Sequence, residues 1–230
     1  MYSISVKDIL RNVPLFKNLS EQELQQVVTL AHTRTYPKGS HIFLQREPLA
    51  NVYFINNGKI KIYRVDQEGK EQVINILQSG EMFPHQGFFR NAPYPANARA
   101  MENSLLIYIP IQSFENFLLN HPELCIKIFR IMGEQIVDLQ KRLEEKILYN
   151  TYEQILLLLL RLTKKHGTAV NENEVRLQTG FTNKDLANMI GSSRETVSRT
   201  LSRLKKKQYV AYDPDGRMII HVGALKEELF

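Results

Sequence analysis

The sequence predicts an α+β protein with an N-terminal β jelly roll, a long helix and a C-terminal winged helix-turn-helix. Three patterns support this prediction. Apolar side chains alternate with a period of two over residues 33–109, they recur at steps of four and three over 123–148, and two short amphipathic stretches occupy 182–207. We expect three parts, at residues 1–120, 121–149 and 150–230.

The composition is that of a folded protein with a polyanionic partner. The chain has 230 residues, 43% of them hydrophobic and 23% charged, with a net charge of +6. The single cysteine, Cys125, excludes an internal disulfide and a cluster held by four cysteines, and it fits a reducing cytoplasm. Lys7, Asp8 and Arg11 interrupt the apolar stretch that a signal peptide needs. The longest apolar run, 155–160, is far shorter than the roughly 20 residues that span a bilayer, so we expect no membrane contact.

Two short helices are predicted before the β region, at 6–10 and 20–31. Ser20 followed by Glu23 forms a capping box at the start of the second helix. We expect the inner face of this helix to consist of Leu24, Val27, Val28 and Ala31.

Recurrent turn signals divide the β region into short antiparallel strands. Asn57-Gly58 is the sharpest signal, and it predicts a two-residue type I′ hairpin between adjacent strands. Later strands are expected at 73–77 and 98–109. In the strand after the hairpin, Ile60 and Ile62 should face the core, and Lys59 and Lys61 the solvent. The expected turn glycines are Gly39, Gly58, Gly69 and Gly80.

A helix at 111–119 and a long helix at 123–148 follow, the second with Pro122 in its first turn. The apolar stripe of the long helix consists of Leu124, Ile128, Met132, Ile136, Leu139, Leu143 and Ile147. A helix of this length with such a stripe is typical of pairing with a second copy. We therefore predict a homodimer whose seam is Met132, Ile136, Leu139 and Leu143. The alternative is that the helix packs only on its own β domain.

After a helix at 152–165, the segment 182–207 predicts a helix-turn-helix. Gly191 stands where the chain leaves the first short helix with a positive φ, and Ser192 or Ser193 caps the next one. Val197, Leu201 and Leu204 form the buried stripe of the second helix. A small β wing is expected at 205–221, with its turn at Asp215-Gly216.

The outward face of the second helix has the chemistry of DNA recognition. Arginine can donate two hydrogen bonds to guanine, and glutamate can accept one from a cytosine amino group. The segment 176–210 contains eight Lys or Arg against two acids, so the excess charge of the chain is concentrated there. The alternative is a solvated face in which Glu195 pairs with Arg199. We expect phosphate contacts from Thr182, Asn183, Lys184, Ser193, Thr196, Arg203 and Lys206.

The segment 191–199, GSSRETVSR, resembles the recognition segment of the CRP/FNR superfamily of bacterial transcription regulators. Arg194, Glu195 and Arg199 match base-reading positions of the CRP branch, and Ser198 is what the FNR branch has where CRP has glycine. The resemblance implies that these four residues read bases, in a TGTGA-like half-site, with a TTGA-like one left open. It also implies a cyclic-nucleotide-binding-like jelly roll, a dimerisation helix and a hinge at Asn150. RNA polymerase would be a partner if the protein is an activator, through the loop at 171–174.

The resemblance fails at the nucleotide pocket. Members that bind cyclic AMP have a glycine-glutamate pair and an arginine-serine pair around the phosphate. Here Pro84-His85 and Tyr94-Pro95 take those places, and Leu139-Gln140 replace the Thr-Ser pair that reaches the adenine. We therefore expect no control by cyclic AMP, and no iron–sulfur cluster or other cofactor, although an unidentified effector stays open. The degenerate pocket consists of Phe83, Pro84, His85, Gln86, Tyr94 and Pro95, which either line an apolar site or fill it.

The sequence argues against two other classes of protein. A DNA-processing enzyme needs a nucleophile or a carboxylate cluster, and no such grouping is visible in the sequence. A nucleotide- or metabolite-gated regulatory subunit would have no use for the face from Arg194 to Arg199. His85 beside Gln86 could ligate haem or a metal, but no histidine has ligand spacing, so we predict no metal. The sequence thus favours a DNA-binding regulator without enzymatic activity.

Overall fold

A computed structural model describes residues 6–11, 13–90 and 92–229, and the chain divides between Val137 and Asp138 into two compact units. The first unit contains α1 (Val6–Arg11), α2 (Glu21–Leu30), β1 (His32–Tyr36), β2 (His41–Phe43), β3 (Asn51–Asn57), β4 (Lys59–Val65), β5 (Glu71–Gln78), β6 (Met82–Phe83), β7 (Asn97–Ala100), β8 (Ser104–Pro110), α3 (Ile111–Leu119) and the first part of α4 (Pro122–Leu148). The second contains the rest of α4, α5 (Thr151–His166), β9 (Gly167–Ala169), β10 (Glu174–Leu177), α6 (Asn183–Ile190), α7 (Arg194–Lys206), β11 (Val210–Tyr212), β12 (Met218–His221) and α8 (Val222–Glu227).

The first unit is the predicted jelly roll. Two four-stranded antiparallel sheets, ordered β1-β8-β3-β6 and β2-β7-β4-β5, enclose an aromatic core. A second core joins the first sheet to α1, α2, α3 and the start of α4, where Phe54, Ile107, Phe114 and Leu124 are fully buried. The helices therefore cover one sheet, while the interior between the sheets is filled from the strands.

Most predicted helices are confirmed to within about two residues, since their caps are local. Ser20 accepts a hydrogen bond from the Glu23 amide (3.3 Å), and the Glu23 carboxylate accepts one from the Ser20 amide (2.7 Å). The predicted inner face of α2 is confirmed, with Leu24 and Val27 buried and Val28 and Ala31 packed against the same core.

The hairpin prediction at Asn57-Gly58 is wrong. β3 pairs with β6 and β8, whereas β4 pairs with β5 and β7, so the chain passes here from one sheet to the other. Only Gly58 has a positive φ (+106°), while a type I′ turn requires two such residues. A Cβ at Gly58 would lie 2.7 Å from the Ser104 Cα atom, which makes this a close backbone crossing.

Two further strand predictions need correction. Lys61 is only 6% exposed, because its ammonium group lies 2.7 Å from the Glu71 carboxylate, which also accepts from Arg99 at 3.1 Å. Glu71 lies on β5, the strand paired with β4, and the alternation within β4 alone does not show this partner. The predicted strand at 98–109 is two strands, β7 and β8, separated by a turn.

The long helix α4 is confirmed, with 27 residues and Pro122 at its start. Its apolar stripe divides in two. Leu124 and Ile128 are buried in the first unit and Met132 packs partly against the same core. Ile136, Leu139 and Leu143 are 55%, 49% and 62% exposed in the single chain. Among the described residues, no helix has both the length and the apolar character needed to cross a membrane.

The second unit has the predicted winged helix-turn-helix. A core of apolar side chains from α5, α6 and α7 is closed by a sheet ordered β11-β12-β10-β9. The wing strands β11 and β12 and the turn at Asp215-Gly216 are confirmed, with Gly216 at φ +73°. Strands β9 and β10 were not predicted, because each is very short and lies among polar residues.

Candidate DNA-binding interface and effector pocket

The first helix of the motif, α6, is held by caps at both ends. The Thr182 hydroxyl accepts from the Asp185 amide (3.1 Å), and the Asp185 carboxylate accepts from the Thr182 amide (3.1 Å). Gly191 ends the helix in the left-handed conformation (φ 66°, ψ 39°), where glycine is favoured, and the Ser192 amide then donates to the Ala187 carbonyl (3.0 Å). The tight turn fixes where α7 begins.

The second helix, α7, begins at Arg194 with Ser193 as its N-cap, whose hydroxyl accepts from the Thr196 amide (3.1 Å). Val197, Leu201 and Leu204 are buried, as expected. Of the residues predicted to contact DNA, exposed side chains belong to Thr182, Lys184, Ser193, Arg194, Glu195, Arg199, Arg203 and Lys206, and half-buried ones to Asn183, Thr196 and Ser198. The structure therefore brings the predicted base-reading residues to one face near the start of α7.

Glu195 lies in the first turn of α7, where free backbone N–H groups favour negative charge. The hydrogen bond from its own backbone N–H lowers the pKa of its carboxyl group, with smaller contributions from Ser193 and from the charges of Arg194 and Arg199. The side chain is therefore an anionic hydrogen-bond acceptor at neutral pH.

Arg203 is partly engaged within the unit. Its guanidinium lies 4.5 Å from the centre of the Tyr152 ring and 3.9 Å from the Glu228 carboxylate. Glu228 also accepts from the Tyr152 hydroxyl (2.8 Å) and from the Lys207 ammonium (2.6 Å). Partial burial and the bond to Glu228 raise the pKa of Tyr152 to about 12. Sequence reasoning missed Tyr152, Lys207 and Glu228, because Tyr152 and Glu228 are 76 residues apart and come together only in the fold.

The end of α4 is fastened to the motif within the second unit. The Lys146 ammonium donates to the Ile190 carbonyl at the end of α6 (3.0 Å) and to the Gln154 amide oxygen on α5 (3.3 Å). The residue before Lys146, Glu145, pairs with Arg161 of α5 (2.6 Å). No spacing in the sequence signals these contacts.

One cation counted in the basic stretch is compensated by the wing. Arg176 pairs with Asp213 and, at 3.0 Å, with Asp215. The hydrogen bonds from Arg217 and Arg176 overcome the effect of burial and lower the pKa of Asp213. Arg176 therefore stabilises the wing turn. The outward positive charge comes from exposed residues of α6 and α7, namely Lys184, Arg194, Arg199, Arg203 and Lys206.

The predicted effector pocket contains stacked aromatic rings. Tyr94 is buried and stacks on Phe43, with ring centres 3.7 Å apart and planes within 4°. Phe83 is also buried, 5.9 Å from Phe43 and stacked on Tyr53 at 5.3 Å. The Tyr94 hydroxyl accepts from the Asn51 amide (3.1 Å) and donates to the Asn51 carbonyl (3.2 Å).

The other predicted pocket residues are dispersed around this core. Pro84 is buried, and Pro95 is half-buried with its carbonyl accepting from the Arg64 guanidinium (3.0 Å). His85 is half-buried and its Nδ1 lies 3.2 Å from the Gln135 amide nitrogen on α4. The backbone of Gln86 is in a 3₁₀ turn, His85–Gly87, and its side chain lies outside the described part of the chain.

Comparison with known proteins matches both units. Residues 33–121 match the cyclic nucleotide-binding domain family, and residues 153–227 match the Crp-like helix-turn-helix domain family. The anaerobic regulatory protein of Bacillus subtilis is 23% identical over 90% of this chain and 88% of its own length. The CRP-like cAMP-activated global transcriptional regulator of Mycobacterium tuberculosis is 21% identical over 88% of this chain and 90% of its own.

The solved structures that the chain resembles have the same fold. A CooA mutant from Carboxydothermus hydrogenoformans superposes with a TM-score of 0.78, at 21% identity, over 95% of this chain and 96% of that one. The two domain matches lie in the same order as the jelly roll and the winged helix-turn-helix, with α4 between them. The chain belongs to the CRP/FNR family of DNA-binding transcription regulators, which are not enzymes.

Proposed function

We propose that this protein is a cytoplasmic, homodimeric regulator that binds a palindromic DNA site with TGTGA-like half-sites and is not controlled by cyclic AMP. The observation that carries the proposal is the outward face of α7, where Arg194, Glu195 and Arg199 are exposed above a fully buried apolar stripe. A helix held in this way can enter the major groove with its first turns against the bases.

The assignment of contacts follows from position on the motif. Arg194, Glu195, Ser198 and Arg199 read bases, with arginine donating to guanine and glutamate accepting from cytosine. The polar and basic residues around them hold the phosphates and set the register on the duplex. These are Thr182, Asn183, Lys184, Ser193, Thr196, Arg203 and Lys206.

The dimer is proposed to form along α4. Ile136, Leu139 and Leu143 are about half exposed or more, at steps of three and four, which is the spacing of a coiled-coil seam. Met132 lies at the same phase but contributes part of its surface to the core of the first unit. We propose the division 1–120, 121–149 and 150–230, in which the middle part is this dimerisation helix. Members of the family bind DNA as dimers, in agreement with this assignment.

Independence from cyclic AMP is supported by the interior of the jelly roll. Tyr94 and Pro95 stand where the cyclic-AMP-binding pattern requires an arginine-serine pair. The Tyr94 ring is instead part of a stack with Phe43, and its hydroxyl is satisfied by the Asn51 backbone. A cyclic phosphate at this place would have to break the stack, and the arginine of the pattern is replaced by Tyr94. We therefore propose that the described side chains of the degenerate pocket fill the nucleotide space.

Footprinting of the purified protein on genomic fragments, without added nucleotide, tests the proposal. We expect protection of two-fold-symmetric sites whose half-sites are centred about 10 bp apart. The duplex recovered should then bind in a mobility-shift assay, and a shuffled duplex of equal length is the control. Equal affinity for the two duplexes would contradict sequence-specific recognition. Symmetric protection of a sequence unrelated to TGTGA would contradict only the assigned half-site.

A further inference from the structure

Three side chains that could hold a metal converge where α4 begins. Glu23 comes from α2, His121 directly precedes α4, and Glu123 lies in its first turn; the three ligand atoms are all within 4.8 Å of one another. His121 Nδ1 lies 3.3 Å from a Glu123 carboxylate oxygen and 3.8 Å from one of Glu23. His121 is only 8% exposed, and its ring packs on Phe117 with the ring centres 4.1 Å apart.

The other ring nitrogen of His121 has a partner that sets its orientation. Nε2 lies 3.4 Å from the Gln26 amide oxygen, which can accept a hydrogen bond but not donate one. With the proton on Nε2, Nδ1 directs its lone pair at two carboxylate oxygens. Three electron-rich atoms at this separation repel one another unless a cation lies between them. Metal-binding histidines commonly donate their second N–H to an oxygen acceptor in this way.

The two carboxylates are suited to ligation in different ways. One oxygen of Glu23 accepts from the Ser20 amide at 2.7 Å, which leaves the other directed at His121. The Glu123 side chain is 53% exposed and has room to adjust its rotamer.

We propose that Glu23, His121 and Glu123 form a divalent transition-metal site, with Zn²⁺ as the preferred ion. Zinc–ligand bonds of about 2.0–2.2 Å in a tetrahedron place neighbouring ligand atoms about 3.3–3.6 Å apart. The separations of 3.3 and 3.8 Å from Nδ1 therefore need only a small closure. One imidazole with two carboxylates favours zinc over magnesium or calcium. The fourth position is left to water.

Such a site would tie α2 to the first turn of α4 within the first unit. Sequence spacing predicted no metal, because Glu23 and His121 are almost a hundred residues apart. The inference does not depend on the proposed DNA site, the half-site sequence or the dimer seam.

Zinc binding to the full-length protein tests the site. Protein stripped with a chelator and desalted is titrated with Zn²⁺ in a calorimeter, and in parallel with Co²⁺, whose visible absorption reports coordination. We expect one tight site per chain, a Co²⁺ absorption band and a higher melting temperature with zinc. Glu23→Gln and Glu123→Gln should each weaken binding about tenfold or more. Glutamine at position 23 keeps the capping box, so this variant should fold normally.

Two further variants make the test specific. Gln26→Ala removes no ligand and should still weaken zinc binding about tenfold through the orientation of His121. Glu134→Gln changes an exposed glutamate on the same helix, well away from the three ligands, and should bind zinc like the unchanged protein. Each variant is compared by circular dichroism in chelator to establish that it is folded. Zinc bound equally by all variants would place the ion at exposed histidines such as His32 and overturn the proposal. The absence of zinc binding would overturn it as well.

Discussion

Arg199 and Lys206 lie on the same face of α7, about two turns apart, and both are exposed. Their distance from the start of the helix gives them different tasks in the proposed complex. Arg199 is near enough to the helix start to reach base edges, whereas Lys206 is in the last turn and can reach only the backbone. Replacing each of the two residues in turn therefore separates the reading of base sequence from the electrostatic attraction to the DNA backbone.

We expect Arg199→Ala to cost about 1–3 kcal/mol on the best site and to relax one base position. Lys206→Ala should weaken all sequences alike and reduce the salt dependence of binding. Both variants are measured by fluorescence anisotropy against the best duplex and against duplexes changed at single positions. A uniform loss for Arg199→Ala would mean that this residue contacts phosphate and that the base-reading assignment is wrong.

Glu71 links the Lys61 ammonium and the Arg99 guanidinium on the second sheet of the jelly roll. Burial alone would raise the pKa of Glu71, but the hydrogen bond and charge of Lys61, together with Arg99, lower it below its usual value. Because the folded-state pKa is lower than the unfolded one, Glu71 stabilises the protein above the unfolded pKa. That contribution is lost as the pH falls through the folded-state pKa.

Glu71→Gln should therefore lower the free energy of unfolding by about 1–3 kcal/mol at neutral pH, since Lys61 loses its charged partner. The difference between variant and parent should shrink below about pH 4. Urea unfolding is followed by circular dichroism, because the chain has no tryptophan. The control is Glu68→Gln in the exposed turn after β4. A difference that persists unchanged into acid would contradict the electrostatic origin of the effect.

The elements show which features a sequence can predict. The bounds of α2, α3 and α4 and the turn at Gly191 depend on caps, prolines and periodicity within a few residues, and all were predicted. The partner of a strand is set by contacts across the sheet, so Asn57-Gly58 correctly marked the break between β3 and β4 but gave the wrong turn type and the wrong pairing. The outward face of α7 was predictable because it follows from the apolar periodicity within the helix itself. The contacts of Glu228 and of Lys146 join remote segments and were not.

The crossing at Gly58 can be tested against a second glycine of similar backbone conformation. Gly58 (φ +106°) and Gly39 (φ +88°) both have a positive φ. Replacing either by alanine should lower the free energy of unfolding by about 1–2 kcal/mol through backbone strain alone. At Gly58 the new Cβ would meet backbone, 2.7 Å from the Ser104 Cα, whereas at Gly39 no atom of the described residues lies within 4 Å. We expect Gly58→Ala to destabilise the protein by about 1–3 kcal/mol more than Gly39→Ala. Equal losses in urea unfolding would show that the two sheets can separate at this point at no cost.

The proposed dimer seam on α4 can be tested by placing charges in it. Leu139→Asp combined with Leu143→Asp places two charges in the proposed interface, and should give monomers that lose specific DNA binding, because one half-site holds each subunit weakly. Sedimentation analysis gives the oligomeric state, and mobility shift gives the affinity. Val137→Asp is the matched control, since Val137 is 64% exposed but lies about 100° round the helix from Ile136. A double variant that remains dimeric would rule out the seam.

At the scale of the whole molecule, DNA binding depends on the equilibrium between a binding and a non-binding arrangement of the protein. A ligand shifts a two-state equilibrium only by its differential affinity for the two states. The arginine of the cyclic-AMP-binding pattern is replaced here by Tyr94, whose ring stacks on Phe43. Either the packed interior holds the active arrangement permanently, or a different small molecule acts. Comparing protein purified from cells with refolded protein separates these two cases.

We expect cyclic AMP, titrated to millimolar levels, to leave the affinity for the best duplex unchanged within tenfold, which corresponds to a coupling below about 1.4 kcal/mol. The cAMP-activated regulator of Mycobacterium tuberculosis is a suitable positive control on its own site. A gain of tenfold or more would show that the aromatic stack opens for the nucleotide.

The attachment of α4 to the motif constrains how this chain can change in length. Lys146 and Glu145 fix the last turn of α4 against α5 and α6, while Leu139 and Leu143 fix the same helix against its proposed partner. One inserted residue between Leu143 and Glu145 would rotate one attachment by about 100° relative to the other, and seven would restore the phase. We therefore expect this stretch to tolerate substitution at its outward positions. Insertions or deletions should be tolerated only in steps of seven residues, because only these keep both attachments on their own faces of the helix.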